Sequence, residues 1–502
     1  MASTLKHVVI LGGGTAGWIA ANALAHRWTD RNIKITLIES PEIGTVGVGE
    51  GSTPRLKLFL DEIGVHEADW MPQCNATYKN GIRFTDWSTR PGFATYFHPF
   101  ASELDRHTTT DFYYNTYARR RGIDVHAHPD RFFVTAALSQ QRLAPLPAAN
   151  FPFVVEYGYH FDAHLLGVYL RDLAVQRGVT HVAEKVIDVA RSGNGDIAAL
   201  QTESGKTVAG DFFIDCSGFR GALIQQELGV PFVSFADNLF NDAAVVLPTP
   251  QSQNIDVQTV STALQYGWAW RIPLTHRIGN GYVYSSAYCS ADAAETELRQ
   301  HLGLEDAEVE ARHLRMKVGR VEKHWQQNCL ALGLSQGFIE PLEATALNLV
   351  CSTIYDFIDS VDPEAVSKAD KQAFNERNAA RFEAIRDYIV AHYIMNTRTD
   401  TDYWRANGEN LNISDSLQQI LQIWKTGANL SQEMQRLEIQ SSYTTMSWFC
   451  LLSGYGFYPA IQPNLADSRV DMQKVDEFVS RCAQNFPGHN DVLQSHRRQT
   501  PS

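Results

Sequence analysis

The segment near residue 7 holds the feature that most constrains the fold, a glycine cluster between an apolar run and a helical pattern. His7–Leu11 is a short apolar run rich in β-branched residues, and the sequence GGGTAG at 12–17 follows it at once. The alanine-rich stretch Trp18–Ala25 predicts a helix, and the alternating stretch Ile33–Ile38 predicts a second strand. A strand, a helix and a strand in this order predict a βαβ unit, and with it a parallel sheet.

Three of these glycines occupy the positions of the dinucleotide-binding pattern GxGxxG. Gly12 allows a tight turn, Gly14 lets the backbone approach a pyrophosphate, and Gly17 lets the helix pack on the strand. The phosphates then meet the N-terminus of the helix, which favours an anion. Glu39 ends the second strand and can accept hydrogen bonds from ribose hydroxyls. A glycine-rich turn without a nucleotide is the competing interpretation, and the acidic residue and flanking elements favour the nucleotide.

A second, distant segment favours FAD over NAD as that nucleotide. Phe212–Gly218 is an apolar strand that runs into a turn of small residues, and large flavoproteins use such a strand at the adenine end of the FAD site. We expect the strand at Lys185–Val186 to lie beside it. The stretch 80–155 suggests short strands and loops, His160–Arg177 a helix, and 240–290 a further sheet.

These patterns predict a mixed α/β (α+β) fold with a Rossmann-type FAD-binding domain, an associated β-sheet substrate region and a C-terminal helical region. We assign residues 1–360 to the FAD-binding domain with its inserted substrate-region sheets. Residues 361–502 form the helical region that completes the substrate site, since apolar residues recur there at helical spacing.

Composition narrows the possible partners and location. A formal net charge of −13 argues against a nucleic acid or an anionic membrane as a partner. No stretch approaches the roughly 20 apolar residues that span a bilayer, and the start of the chain does not resemble a signal peptide. The seven cysteines show no CxxC spacing, which predicts a cytoplasmic protein without disulfides or a zinc site.

Further motifs carry a resemblance to a known family. GWAWRIP at 267–273 contains WxWxIP, GVGEGSTP spans 47–54, IDCSGFRG spans 214–221 and GFIEPLEAT spans 337–345. Together with GGGTAGW and the helical tail around 385–393, these segments resemble the flavin-dependent tryptophan halogenases, in the family's order and over nearly the whole chain.

The resemblance implies a reaction in which reduced FAD, oxygen and chloride or bromide give hypohalous acid, which then halogenates an indole-type ring. Lys79 matches the family's essential lysine, which either hydrogen-bonds the hypohalous oxygen or forms a haloamine. Glu343 matches its catalytic glutamate, whereas Glu340 is expected to be structural. The resemblance places Trp268, Trp270 and Pro273 in the wall between flavin and substrate.

The resemblance also implies the residues that hold cofactor and halide. The expected FAD-binding positions are Gly12, Gly14, Thr15, Ala16, Gly17, Glu39, Gly49, Val186 and Leu334. The backbone amides of Thr345 and Ala346 match the halide site. Ala344 replaces a common serine and Ala346 a common glycine or serine, which puts reaction rate and halide preference in doubt.

The expected aromatic substrate lies between His98, Phe100 and Trp448, although each could equally be a core aromatic. Family members that act on free tryptophan use paired tyrosines and neighbouring polar groups in the tail, and the stretch 441–448 lacks that pair. We therefore expect poor recognition of the tryptophan ammonium and carboxylate. Indole, a substituted indole, or a tryptophan within a larger molecule is the expected substrate.

Two alternatives remain open from the sequence: an FAD-dependent aromatic monooxygenase, and a non-catalytic flavin-binding protein. Halide dependence of product formation separates the first from a halogenase. Oxidation of reduced flavin without any product would identify the second. The sequence has no second nucleotide fingerprint, so a separate flavin reductase is expected to supply reduced FAD by diffusion.

Overall fold

The computed structural model describes residues 5–42, 44, 49–100, 102–462, 465 and 469–499. By packing, the chain forms two compact units: one from residues 1–76, 161–235 and 316–382, the other from 77–160, 236–315 and 383–502. This differs from the predicted division at residue 360, because the chain leaves the first unit and returns to it twice. Of the glycine-rich loop expected over a ligand at 44–54, residues 45–48 lie outside the described part of the chain.

The strands in chain order are β1 (His7–Leu11), β2 (Lys34–Glu39), β3 (Gly49–Gly51), β4 (Thr77–Lys79), β5 (Gly81–Thr85), β6 (Thr95–Pro99), β7 (Gly158–Asp162), β8 (Thr180–Ala183), β9 (Val186–Arg191), β10 (Ile197–Thr202), β11 (Thr207–Ala209), β12 (Phe212–Asp215), β13 (Phe232–Ser234), β14 (Ala243–Pro250), β15 (Thr259–Ala263), β16 (Gly267–Pro273), β17 (Arg277–Tyr284), β18 (Arg312–Arg315), β19 (Gly319–Val321), β20 (Trp325–Gln326), β21 (Cys329–Ala331) and β22 (Gly337–Phe338).

The α-helices are α1 (Thr15–Arg27), α2 (Pro54–Glu62), α3 (Glu67–Trp70), α4 (Arg106–Arg119), α5 (Val134–Gln141), α6 (Ala163–Gln176), α7 (Ala291–Leu302), α8 (Thr345–Ser360), α9 (Lys368–Met395), α10 (Asp402–Gly408), α11 (Asp415–Thr426), α12 (Leu430–Arg436), α13 (Thr445–Gly454), α14 (Met472–Ala483) and α15 (His489–Gln499). Among the described residues, no helix is both long enough and apolar enough to cross a membrane.

The first unit is built on a six-stranded sheet in the order β20-β21-β12-β1-β2-β8. β1 runs parallel to β2, with Val9 beside Thr36, and parallel to β12, with Val9 beside Phe213. Val9 and Phe213 are fully buried, as expected for central strands of a parallel sheet. The predicted βαβ unit and parallel sheet are therefore confirmed.

Helix α1 connects β1 to β2 and is buried along most of its first nine residues. Its alanines allow close packing against α6, and Asn22 donates a hydrogen bond to the Leu170 carbonyl oxygen at 2.8 Å. α6 begins at Ala163, where the Asp162 side chain accepts hydrogen bonds from the backbone of the first turn. The helix expected from His160 thus starts three residues later, because residues 158–162 form β7.

The expectation that Lys185–Val186 lies beside the 212–215 strand is wrong. β12 has β1 and β21 as neighbours, whereas Val186 begins β9 in a separate sheet, β9-β10-β11. The turn at 192–195 pairs β9 with β10 as an antiparallel hairpin, and Gly195 adopts a φ of +88° there. Local hairpin pairing therefore holds β9 away from the parallel sheet.

The second unit contains a seven-stranded sheet in the order β18-β14-β17-β16-β15-β5-β6. The strands predicted at 240–290 supply four of its members. The WxWxIP strand, β16, lies between β15 and β17 in this sheet, antiparallel to both. A strand flanked on both sides offers a rigid support for its side chains.

The prediction of short strands and loops over 80–155 misses two helices, α4 and α5. The sequence of α4, RHTTTDFYYNTYAR, is rich in threonine and aromatic residues with modest helix propensity. Tertiary packing overrides this preference, since Phe112 and Asn115 on its inner face are buried. The helical pattern predicted for residues 361–502 is confirmed by α9 to α15.

Candidate active site

The turn between β1 and α1 has the shape that a pyrophosphate requires. A Cβ on Gly12, whose φ is +115°, would collide with the Cys216 carbonyl, and one on Gly17 would collide with the Gly12 carbonyl. A Cβ on Gly14 would meet no heavy atom within 4 Å. Helix α1 begins directly after Gly14, with neither a side-chain cap nor an acidic residue in its first turn. Open space before an uncapped helix N-terminus fits the phosphates of FAD.

Glu39 lies at the edge of this turn. A Cβ on Gly13 would overlap its carboxylate, so the acid packs directly against the glycine backbone. Its Oε1 lies 2.8 Å from His181 Nε2, and the Trp18 ring meets His181 edge-on at 5.3 Å. The sequence offers no pattern that marks His181, which reaches Glu39 through the pairing of β2 with β8. A ribose contact by Glu39 stays a prediction.

The other expected FAD positions are only partly brought together. Leu334 lies in the short helical turn Gly333–Ser335, and a Cβ on Gly333 would come within 2.7 Å of the Ala16 Cβ. That turn therefore packs against the glycine turn, beside Thr15 at the start of α1. Gly49 begins β3 and is buried. Val186 lies half-buried in β9, outside the parallel sheet.

The GFIEPLEAT segment forms a tight turn into α8. Pro341–Glu343 is a single 3₁₀ turn, with Glu340 0% and Glu343 3% exposed. Ala344 then adopts a left-handed conformation with φ +56° and ψ +38°. Helix α8 begins at Thr345 without a side-chain cap, so the first backbone N–H groups, those of Thr345 and Ala346 among them, form the positive end of a 16-residue helix.

Lys79 ends β4, a strand of three residues. β4 pairs antiparallel with β7, which places Lys79 opposite Gly158 and Thr77 opposite His160. Glycine opposite the lysine leaves room for a long side chain on that face. The Lys79 side chain is completely buried, and its Nζ lies 5.6 Å from the centre of the Phe100 ring. A buried ammonium above an aromatic face gains a cation–π attraction.

His160, on the same face as Lys79, connects three elements through hydrogen bonds. The Thr77 hydroxyl donates to the Pro273 carbonyl at 2.7 Å, so it must accept from His160 Nδ1 at 3.1 Å. His160 Nε2 lies 2.9 Å from the hydroxyl of Thr259. Burial, followed by the nearby charge of Lys79, holds the pKa of His160 well below its usual value. The neutral histidine thus joins the lysine strand to β15, and the Thr77 hydroxyl joins it to the WxWxIP strand.

An aromatic shelf, made of His98, Tyr388, Tyr443 and Trp448, lies in the second unit. Tyr388 and Tyr443 stack with ring centres 3.6 Å apart, and Trp448 meets Tyr388 edge-on at 4.8 Å. His98 Nε2 lies 3.4 Å from the Tyr388 hydroxyl, which donates to the Ser447 carbonyl oxygen. His98 lies near the end of β6 and Phe100 directly follows that strand, so this segment connects the shelf with the ring beside Lys79.

The two tryptophans of β16 are buried and 6.2 Å apart. Trp270 lies across Gly281 of β17, where a Cβ would overlap its six-membered ring. The indole N–H of Trp270 has no hydrogen-bond partner among the described residues. Pro273, at the end of the strand, accepts the hydrogen bond from Thr77. A role of these residues as a wall between flavin and substrate stays a prediction.

The expected site residues fall into the two units. The second unit holds Lys79, His98, Phe100, Trp268, Trp270, Pro273 and Trp448, and the first holds the glycine turn, Glu39, Glu343, Thr345 and Ala346. Sequence reasoning missed His160, Tyr388 and Tyr443 as neighbours of these residues. Single histidines and tyrosines far apart in the chain give no local signal of a shared site.

A parallel sheet with this glycine turn is the architecture of a Rossmann-type dinucleotide-binding domain. The sequence model of the tryptophan halogenase family matches residues 7–471. The tryptophan 6-halogenase SttH of Streptomyces toxytricini is 38% identical over 446 residues, 83% of each chain, and its crystal structure superposes with a TM-score of 0.86 over 98% of this chain and all of that one.

Two further proteins show the same likeness. The tryptophan 7-halogenase RebH of Lentzea aerocolonigenes is 32% identical over 509 residues, 95% of this chain and 94% of that protein. BrvH, a flavin-dependent halogenase from Brevundimonas sp. BAL3, has a TM-score of 0.84 at 31% identity, over 98% of this chain and 99% of that one. This chain belongs to the tryptophan halogenase family and is a flavin-dependent halogenase, which implies FAD and a halide in its reaction.

Proposed function

We propose that this enzyme halogenates the indole ring of tryptophan or of a tryptophan-containing molecule, with Lys79 and Glu343 as its catalytic residues. The observation that carries the proposal is the completely buried Lys79 ammonium above the Phe100 ring. Lysines are rarely found completely buried, because removing an ammonium from water costs free energy that its surroundings must offset. Binding of a small, polar oxidant is a chemical reason for a lysine at this position.

Lys79 acts on hypohalous acid in one of two ways. The ammonium donates a hydrogen bond to the hypohalous oxygen and polarises the halogen, or the neutral amine forms a haloamine. Either way the oxidant is held in one place, and the gain over free hypohalous acid is proximity and orientation. His160 supports this role by staying neutral, which keeps a second cation away from Lys79.

Glu343 is suited to act on the indole ring, and the start of α8 is suited to bind the halide. Positive charge develops on an indole ring only while the halogen adds, so a carboxylate placed for that moment stabilises the transition state and takes the ring proton. The backbone N–H groups of Thr345 and Ala346, at an uncapped helix end, are suited to hold chloride or bromide.

FAD would be held by the glycine turn, with Gly14 against the pyrophosphate and Glu39 at the ribose. When bound in reduced form, FAD would react with oxygen to supply the oxidant that converts halide into hypohalous acid. A separate flavin reductase supplies the reduced cofactor. Seven free cysteines support a reducing, cytoplasmic location.

The aromatic shelf supports a flat, electron-rich substrate, and the relatives named as tryptophan halogenases support tryptophan itself. Tyr443 stacks on Tyr388 within the shelf, and the stretch 441–448 lacks the tyrosine pair expected of members that act on free tryptophan. We therefore expect indole and tryptophan-containing peptides to compete well with free tryptophan. The ring position that is halogenated follows from how the substrate lies against Lys79.

The test supplies the protein with FAD, a flavin reductase, NADH, bromide or chloride, and tryptophan, indole or a tryptophan peptide. Mass spectrometry is expected to find a halogen isotope pattern that disappears in Lys79→Met and persists in Lys206→Met, a matched change of an exposed lysine. A hydroxylated product that is independent of halide would contradict the proposal and indicate a monooxygenase. Oxidation of reduced flavin without any product would indicate a non-catalytic flavin protein.

A further inference from the structure

The strand that carries Lys79 has an unusual partner on its second edge. One edge of β4 pairs with β7. On the other edge, the Asn80 N–H donates to the Val257 carbonyl oxygen at 2.7 Å, as in an ordinary sheet. Two residues earlier, the Tyr78 N–H donates instead to Nε2 of His489, at 3.2 Å. His489 begins α15, far away in the sequence.

The imidazole of His489 replaces a backbone hydrogen bond between two chain segments. Its Nδ1 lies 3.0 Å from the Ile255 carbonyl oxygen, two residues before Val257. The ring therefore bridges the Ile255 carbonyl and the Tyr78 N–H. Because it lies between them, these two groups do not bond to each other directly. The backbone of His489 is itself anchored, since its N–H donates to the Arg142 carbonyl oxygen at 2.9 Å.

The chemistry of the two partners fixes the protonation of this ring. A backbone N–H can only donate and a carbonyl oxygen can only accept, so Nδ1 must carry the proton and Nε2 must not. A protonated ring would place a second N–H against the Tyr78 N–H. Burial lowers the pKa of His489 to about 4, although the Ile255 bond and the charge of Asp256 act in the opposite direction.

We propose that His489 is a positioning residue for Lys79, because its imidazole fixes the edge of the strand that carries the ammonium. The inference rests on the proposed role of Lys79. β4 has only three residues, so each hydrogen bond along its edges matters for the place of the lysine. Loss of the bridge also removes the hydrogen bond from the Tyr78 N–H to His489, which favours a shift of the strand.

A displaced lysine has a specific consequence for the reaction. Hypohalous acid forms as before, but it is no longer held beside the ring. Displacements of about 1 Å in a reacting group cost up to roughly 100-fold in rate. The oxidant that escapes can be captured by a soluble electron-rich trap, so the ratio of halogenated substrate to halogenated trap reports the position of Lys79.

The experiment compares His489→Gln with His489→Leu in the full-length enzyme, with FAD, a flavin reductase, bromide, tryptophan and the trap. The glutamine amide carries an acceptor oxygen and a donor NH2 group and can rebuild the bridge, whereas leucine cannot. We expect His489→Leu to lower the substrate-to-trap ratio about tenfold or more, with total oxidant nearly unchanged, and His489→Gln to restore most of it. Tyr78→Phe is the matched control, since it removes the hydroxyl that contacts His496 and leaves the Tyr78 N–H in place.

Amide hydrogen exchange gives a second measurement that does not depend on turnover. The Tyr78 amide should be protected in the wild type and in His489→Gln, and exchange faster in His489→Leu. Equal substrate-to-trap ratios in the wild type, His489→Gln and His489→Leu would overturn the inference. An equal fall of halogenated substrate and halogenated trap would overturn it as well. If His489→Leu fails to fold, His489→Asn, with too short a side chain to reach both partners, takes its place. Lys79→Met in the same assay separates the two proposals. Halogenated substrate retained by Lys79→Met would refute the proposed role of Lys79. Loss of that product in Lys79→Met with an unchanged ratio in His489→Leu would refute the role of His489 alone.

Discussion

Gly14→Ala tests the nucleotide-binding turn without disturbing the fold. Gly14 precedes α1 with φ −71° and ψ 177°, a conformation that alanine adopts without strain. The added Cβ meets no heavy atom within 4 Å. Gly17→Ala provides the contrast, because its Cβ would collide with the Gly12 carbonyl oxygen. Gly14→Ala therefore affects the space in front of α1, and Gly17→Ala affects the packing of α1 against the Gly12 backbone.

The expected magnitudes follow from these contacts. Replacing glycine by alanine at a compatible position stabilises a protein by about 0.4–1 kcal/mol, because the unfolded chain loses freedom. The same methyl group stands where the pyrophosphate should approach the backbone. Loss of one hydrogen bond to a charged phosphate costs about 1.5–3 kcal/mol, which weakens FAD binding by roughly 10- to 150-fold.

The assay is a fluorescence titration of FAD, with denaturant unfolding measured separately on the FAD-free protein. Gly14→Ala should unfold at the same or a higher denaturant concentration than the wild type, yet bind FAD weakly. Gly17→Ala should lose stability, and Gly193→Ala, whose Cβ also meets nothing within 4 Å, should change neither property much. Wild-type FAD affinity in a folded Gly14→Ala protein would refute the placement of the pyrophosphate at this turn.

Three further predictions concern other parts of the molecule. Gly281→Ala should displace the Trp270 ring that it would overlap, cost about 1–3 kcal/mol in denaturant unfolding, and lower halogenated product per reduced flavin. His324 is buried and, through burial and then the charges of Arg320 and Arg381, has its pKa lowered to about 3. Because the unfolded chain takes up this proton below pH 6.5 and the folded chain only near pH 3, His324 by itself should lower the free energy of unfolding by about 2–3 kcal/mol between pH 7 and 4.5, and the acid-dependent loss should be smaller by that amount in His324→Leu. The Thr345 hydroxyl is buried without a hydrogen-bond partner among the described residues, so Thr345→Val should stabilise the halide-free enzyme by about 1 kcal/mol, and a raised half-saturating bromide concentration would show that the hydroxyl also serves the halide.

The nucleotide-binding half of the molecule could be predicted because its signals are local. The glycines, the strand before them and the helix after them are adjacent in the sequence, and their spacing follows from backbone sterics alone. Glu39 could be found for the same reason, at the end of the next strand. The WxWxIP strand and the lysine segment were recognisable through resemblance and not through any pattern of periodicity.

The contacts that position those residues could not be predicted, because they are long-range. His160 lies in a segment that was expected to be helical, and its bond to Thr77 depends on the register between β4 and β7. The β9 hairpin was misplaced because apolar alternation does not say which strand is the neighbour. Helix α4 was missed because packing, and not propensity, makes it helical.

The bond between Tyr78 and His489 joins residues 411 positions apart. A ribosome adds about 5–20 residues per second, so His489 is made roughly 20–80 s after the strand that it touches. During that interval β4 can pair with β7 and with Val257, but its second edge lacks the contact with His489. Lys79 is thus synthesised well before the His489 contact that fixes its strand, and under the proposed function a ribosome-bound chain should acquire FAD affinity before it acquires control over the oxidant.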